Sequence, residues 1–124
     1  MATKKNSILV VDDEPDIVVV LSEYLAKEGF RVYTAHKGEQ AIEKVRDFPD
    51  ISLVLLDIAM PQMDGIETLK KLKEIKPEIN VIMISAYRDA DRVVQSFRLG
   101  AYDCIFKPFD LKYLRTAILA KLLE

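Results

Sequence analysis

Asp12 with Asp13, Asp57, Ser85 and Lys107 stand directly after four short apolar runs of this 124-residue sequence. If those runs are neighbouring strands, three acids, a hydroxyl and an ammonium share one crevice. Two carboxylates about 4 Å apart, at an effective dielectric near 20, repel by roughly 4 kcal/mol. Three together raise one another's pKa values or push apart unless a cation stands between them. Lys107 offsets part of that charge and no more. A hard divalent ion held by a few carboxylates, with water and phosphate oxygens completing an octahedron, is the pattern of Mg²⁺. Lys107 and Ser85 then suit the remaining phosphate oxygens, one as a point charge and the other as a hydrogen-bond donor. Asp57 becomes the nucleophile, because a carboxylate can form an acyl phosphate. Any one of these residues alone is an ordinary turn or cap residue. Their falling together at the ends of four runs is what points to one site.

What must position them is a regular alternation of runs. Ser7 to Val11 is apolar without polar alternation, which predicts a strand buried on both faces. Pro15 opens a helix, where its missing N–H costs nothing. Ile17, Val20, Leu21, Tyr24 and Leu25 are spaced as the buried stripe of that helix, and Gly29 stops it. The same alternation gives a strand over 31–35 and a helix over 39–48 with Ala41, Ile42, Val45 and Phe48 inward. A strand over 51–56 ending in Asp57 follows, then a helix over 64–76 with Ile66, Leu69 and Leu72 inward. A strand over 79–84 ends at Ser85. A helix over 89–99 uses Val93, Val94 and Phe97, and a weaker strand over 102–106 ends at Lys107-Pro108. Asp110 caps a last helix. Five strand–helix pairs with short connections predict an α/β fold: a (βα)5, doubly wound, five-stranded parallel sheet with helices on both faces. Ligands of such sheets bind beyond the carboxyl ends of the strands, where the five residues fall. The expected organisation is a single domain over 1–124.

Composition narrows the classes. Half the residues are apolar and the net charge is −2, so there is no broad electrostatic case for direct nucleic-acid binding. One cysteine permits no internal disulfide and fits a reducing compartment. The apolar run at 8–11 is too short for a signal-peptide core, and no stretch approaches a membrane span. The expectation is a cytoplasmic protein without a membrane partner.

The stretches Ile8-Leu-Val-Val-Asp-Asp-Glu-Pro15, Leu53-Val-Leu-Leu-Asp57, Met60-Pro-Gln-Met-Asp-Gly65, Ser85-Ala-Tyr87, Gly100-Ala101 and Lys107-Pro-Phe109 resemble the receiver domains of two-component response regulators over nearly the whole chain. The resemblance implies a flavodoxin-like fold and Mg²⁺-dependent acceptance of a phosphoryl group on Asp57. It implies metal binding by the carboxylates of Asp13 and Asp57, by Asp12 directly or through water, and by the backbone carbonyl of Ala59. Ser85 would be the switch hydroxyl and Lys107 the phosphate-binding lysine, with a cis bond to Pro108. The module would not be an enzyme in its own right; it would support its own phosphotransfer and slow loss of phosphate. The donor would be a histidine kinase or a histidine phosphotransfer protein docking on the first helix, where Val19 and Ala26 point outward. The recipient of the signal would be an effector domain or target protein, read through the face around the fourth helix, fifth strand and fifth helix. A complete single-domain regulator and the input domain of a larger one fit equally.

Three positions depart from the family pattern. Cys104 stands where an aromatic is common, Ala59 lacks a side-chain polar group, and Tyr87 is bulky. Tyr102 shares strand parity with Cys104 and is expected on the same side of the sheet. Cys104 itself reads as a small packed apolar residue, His36 as a loop residue, Met60 and Met63 as packing, and Gly65 as a turn or helix-start residue. A rival reading is an aspartyl-phosphate phosphatase of haloacid dehalogenase type. It calls for Asp-x-Asp on the first strand and a larger body, whereas this sequence has Asp12-Asp13 and no cap-sized insertion. A flavodoxin would share the fold, but Asp-Asp-Glu-Pro-Asp repels phosphate where that fold needs a hydroxyl- and Gly-rich loop.

Overall fold

A computed structural model describes residues 7–60, 62–86 and 90–122. Ten elements alternate: β1 (Ser7–Val11), α1 (Pro15–Lys27), β2 (Arg31–Ala35), α2 (Gly38–Asp47), β3 (Ile51–Asp57), α3 (Gly65–Ile75), β4 (Asn80–Ser85), α4 (Ala90–Arg98), β5 (Asp103–Phe106) and α5 (Leu111–Leu122). The strands form one sheet in the order β2-β1-β3-β4-β5, and every pairing is parallel. The chain reverses its direction of winding between β1 and β3. That is the switch point where a doubly wound sheet opens a crevice at its carboxyl edge. The expected α/β fold is therefore the observed one, with element ends differing by one or two residues from the sequence expectation.

Side-chain alternation along the strands divides the core in two. Ile8, Val10, Leu53, Leu55, Ile82, Ile84 and Ile105 pack with Val18, Leu21 and Leu25 of α1 and Leu114, Ala117 and Ile118 of α5. Leu9, Val11, Val54, Leu56, Val81, Met83 and Cys104 pack with residues of α2, α3 and α4. The interior strands are buried on both faces, so Ile8–Val11, Leu53–Leu56 and Val81–Ile84 run apolar up to the acid or hydroxyl that follows them. Met60 and Met63 join the second core, as expected of packing residues.

Four expectations need correction. In α1 the buried residues are Val18, Leu21 and Leu25. Val20 faces solvent, 50% exposed, beside Val19 at 52%. Residues 17–21 are all apolar, so periodicity alone left the phase of the stripe ambiguous. In α4 Val93 is buried as expected, but Val94 and Phe97 are exposed, and Ser96 takes the inward place. Its hydroxyl donates to the Val93 carbonyl at 2.7 Å, which removes the cost of burying it. Phe48 follows α2 as its C-terminal cap rather than lying in its buried stripe. It stacks on Tyr33 at 4.6 Å between ring centres. Finally, Tyr102 and Cys104 lie on opposite faces of the sheet. Tyr102 precedes β5, so strand parity does not govern it, and Lys121 Nζ lies 4.9 Å from its ring centre.

Candidate functional site

The carboxyl ends of β1, β3, β4 and β5 deliver the residues singled out above. Asp12 follows the last residue of β1, Asp57 ends β3, Ser85 ends β4, and Lys107 follows β5. Register brings them level: Val11 pairs with Leu56, Asp57 with Ile84, and Ser85 with Phe106. The Lys107 N–H donates to the Ser85 carbonyl at 2.8 Å, and the Ile58 N–H to the Ile84 carbonyl at 3.0 Å. These bonds continue the sheet by a residue and fix the base of the crevice. The Lys107-Pro108 bond is cis, as expected.

Asp12, Asp13 and Asp57 each present a carboxylate oxygen within 4.8 Å of the others. Asp12 and Asp57 are almost fully buried, and Asp13 is exposed at the mouth. The Asp12 carboxylate accepts the Glu14 N–H at 2.9 Å through Oδ1. Its Oδ2 is buried and takes no hydrogen bond. Asp57 Oδ1 accepts the Ala59 N–H at 3.3 Å, and Ala59 itself is exposed on the loop after β3. Lys107 Nζ lies 3.4 Å from Asp12 Oδ2, 3.8 Å from Asp57 Oδ1 and 3.1 Å from Glu14 Oε1. Ser85 is fully buried, its hydroxyl donating to the Ala86 carbonyl at 2.8 Å.

Burial and crowding show in the acidities. Burial, then the charge of Asp12, push the Asp57 carboxyl up from 3.8 to about 7, against the pull of Lys107. Burial also raises Asp12, opposed by the Glu14 N–H and by Lys107. Burial alone would lower the Lys107 ammonium, but the Glu14 hydrogen bond and the charges of Asp57 and Asp12 outweigh it and raise it. This donor set fits a small hard cation. The oxygens are carboxylates close enough to share one ion, burial and the neighbouring Asp12 destabilise the ionised Asp57, and one buried oxygen lacks a hydrogen bond.

The raised Asp57 value has a consequence for stability. A carboxyl whose folded pKa lies above its unfolded one favours the protonated fold. Its contribution is fully present below 3.8 and is lost as pH rises through about 7. Chelator-treated protein is therefore expected to unfold at lower temperature at pH 8 than at pH 5. Saturating Mg²⁺ should narrow that difference. A thermal melt at each pH, with and without Mg²⁺, checks it; equal melting temperatures at pH 5 and pH 8 in chelator would contradict the cluster's repulsion.

Two neighbours do more than the sequence told: Glu14 had no role there, and Gly65, expected as a turn or helix-start residue, does open α3 but also admits a close backbone. Glu14 lies in the Asp-Asp-Glu-Pro stretch, yet nothing in spacing told that its side chain reaches across to Lys107. Gly65 starts α3 with its N–H donating to the Ile58 carbonyl at 2.8 Å. A Cβ there would strike the Asp57 carbonyl oxygen and lie 2.6 Å from Ile58 Cα. A glycine at the first helical position, where most residues do better, was the available signal of close backbone approach. His36 is an exposed loop residue, as expected, with Nδ1 3.3 Å from the Asp12 carbonyl. Tyr87 lies outside the described residues.

Residues 8–119 match the model of the response regulator receiver domain. The chain belongs to that family. It is 44% identical over 112 residues to sporulation initiation phosphotransferase F of Bacillus subtilis (strain 168), covering 90% of this chain and 89% of that protein. It is 42% identical over 118 residues to the transcriptional regulatory protein ZraR of Klebsiella oxytoca, covering 95% of this chain and 26% of that protein. The receiver unit thus spans nearly all of one relative and about a quarter of the other. A chain of the CheX–CheY–BeF3–Mg²⁺ complex from Borrelia burgdorferi superposes with a TM-score of 0.88 at 36% identity, covering 96% of this chain and 90% of that one. Receiver domains serve phosphoryl-acceptor signalling in two-component systems. The haloacid dehalogenase reading finds no support. Among the described residues no helix is long and apolar enough to cross a membrane.

Proposed function

We propose that the receiver unit, taken over 1–124, accepts a phosphoryl group on Asp57 and holds Mg²⁺ through Asp12, Asp13, Asp57 and the Ala59 carbonyl. The observation that carries this reading is the convergence of three carboxylates on one crevice, with an ammonium opposite and one buried carboxylate oxygen without a hydrogen bond. A carboxylate oxygen of Asp57 forms an O–P bond as the N–P bond of a phosphohistidine breaks, its electron pair staying on the imidazole nitrogen. Bound Mg²⁺ supplies positive charge for the transferring oxygens. Lys107 and Ser85 take the other oxygens, by charge and by hydrogen bond. The Borrelia complex, alike in fold, contains both BeF3 and Mg²⁺. A single cysteine and donors of the histidine kinase class accord with a cytoplasmic setting. Incubation with a small phosphodonor tests the reading. Labelling should require Mg²⁺, and Asp13→Asn should raise the Mg²⁺ concentration needed by about tenfold, since a charged oxygen ligand is lost. Labelling that persists in excess chelator would refute it.

The donor is a histidine kinase or a histidine phosphotransfer protein, docked on α1. Val19 and Val20 lie side by side on its outer face, each about half exposed, on the helix that starts beside Asp12 and Asp13. Val19→Glu leaves the core untouched. It should slow transfer from a phosphohistidine partner by about tenfold, as a charge placed in a buried apolar contact does, and leave small-donor labelling unchanged. Equal slowing of both would contradict docking at this face.

Loss of phosphate is slow on this reading. Hydrolysis needs a water in line with phosphorus, and Ala59 has no side-chain group to orient one. Ala59→Asn combined with Tyr87→Glu should shorten the phosphorylated lifetime, measured as decay after donor removal; an unchanged or longer lifetime would contradict the account. The signal leaves through Ser85 and α4 toward the face of α4, β5 and α5, where Val94, Phe97, Phe106 and Tyr113 are exposed. Cys104 faces Met83 in register and is too small to follow Ser85, and Tyr102 is on the other side of the sheet.

A further inference from the structure

The ammonium of Lys107 is shared unequally among three acids. Two of them, Asp12 Oδ2 and Asp57 Oδ1, lie at ion-pair distances of 3.4 Å and 3.8 Å without a hydrogen bond to it. The third, Glu14 Oε1, accepts its hydrogen bond at 3.1 Å. Glu14 is not one of the clustered acids. Its side chain is 61% exposed, against 2% and 6% for those of Asp12 and Asp57. It precedes α1, yet its side chain makes no helix-capping hydrogen bond. Its backbone N–H already serves Asp12. The carboxylate therefore has one visible task, which is to hold Lys107.

That task matters for metal binding. A lysine ammonium and a divalent cation compete for the same oxygens, because both satisfy carboxylates by charge. An ammonium drawn fully onto Asp12 and Asp57 would have to be expelled before a metal could bridge them. An ammonium tethered at the rim stays close enough to meet a phosphoryl oxygen without filling the centre. Resting on the assignment of the acids as metal ligands made above, we propose that Glu14 is a positioning residue that keeps Lys107 off the metal oxygens and thereby tightens Mg²⁺ binding. The exposed setting keeps the tether weak, as befits a contact that must yield when a phosphoryl group arrives.

A double-substitution cycle on Mg²⁺ affinity, read by calorimetric titration of the unphosphorylated protein, tests this. Glu14→Gln preserves shape and the backbone bond to Asp12, and it should weaken Mg²⁺ binding by about fivefold. Lys107→Met removes the competing cation and should tighten binding. The decisive value is Glu14→Gln made in the Lys107→Met protein, where its effect should fall below about twofold. If the fivefold loss persists without Lys107, Glu14 acts on the metal by its own charge, and the positioning role is wrong. If Glu14→Gln leaves the affinity of the otherwise natural chain unchanged, the role is equally wrong. Failure of the natural chain to bind Mg²⁺ at all would overturn the metal assignment itself, and this inference with it.

Discussion

Asp57→Asn is expected to give a folded protein that takes up no phosphoryl group from any donor and is more stable than the natural chain above pH 7. Loss of labelling follows because an amide oxygen is no nucleophile toward phosphorus under these conditions. The gain in stability follows from the site's electrostatics. Burial and the neighbouring Asp12 hold the Asp57 carboxyl at about 7, so ionising it at higher pH works against the fold. Asparagine fills the same volume without the charge. The gain should be about 1–3 kcal/mol at pH 8 without metal and vanish near pH 4. Urea unfolding at the two pH values measures it. A variant less stable than the natural chain at pH 8 would mean that the ion pair with Lys107, at 3.8 Å, outweighs burial and repulsion.

The second large effect is expected at a residue with no reacting atom. Gly65→Ala should destabilise the fold by about 3 kcal/mol. The added methyl group meets the backbone of Asp57 and Ile58 rather than the tip of a mobile side chain. Relief requires moving α3 away from the end of β3, which stretches the Gly65–Ile58 hydrogen bond and shifts the backbone of Asp57. Labelling of the folded fraction should therefore slow as well. A shift in the urea midpoint with unchanged slope would report the first effect, and initial rates of small-donor labelling the second. Wild-type stability in this variant would show that α3 does not press on the backbone of Asp57 and Ile58.

The sheet and its helices were legible in the sequence because strands buried on both faces cannot hide their pattern. Ile8 to Val11 and Leu53 to Leu56 are apolar throughout, and Asp12 and Asp57 end them abruptly. Burial of the whole strand and presentation of one polar residue at its carboxyl end are the same fact, so fold and candidate site emerged together. Helix phase was less legible. Five consecutive apolar residues at 17–21 satisfy several stripes, and only packing on β1 and β2 selects Val18 over Val20. Ser96 misled in the opposite direction: a hydroxyl bonded back to the helix can be buried at little cost, leaving Phe97 outside. Contacts made only through the fold were less legible still. Glu14 meets Lys107 across 93 positions, and at Gly65 only a glycine opening a helix hinted that the backbone of Asp57 and Ile58 lies close.

These contacts share a theme: Asp57 is surrounded by groups that offset one another. Asp12 raises Asp57, Lys107 lowers both, Glu14 restrains Lys107, and Gly65 admits the backbone that carries them. The central claim remains that Asp57 is where phosphorus is bound. The most direct measurement is peptide mapping by mass spectrometry after brief incubation with a small phosphodonor and Mg²⁺, at a pH mild enough to preserve an acyl phosphate. One phosphoryl group on the peptide containing Asp57, absent when Mg²⁺ is chelated, is the predicted result. A phosphoryl group carried instead by Asp12, Asp13 or Ser85, with Asp57 unmodified, would contradict it.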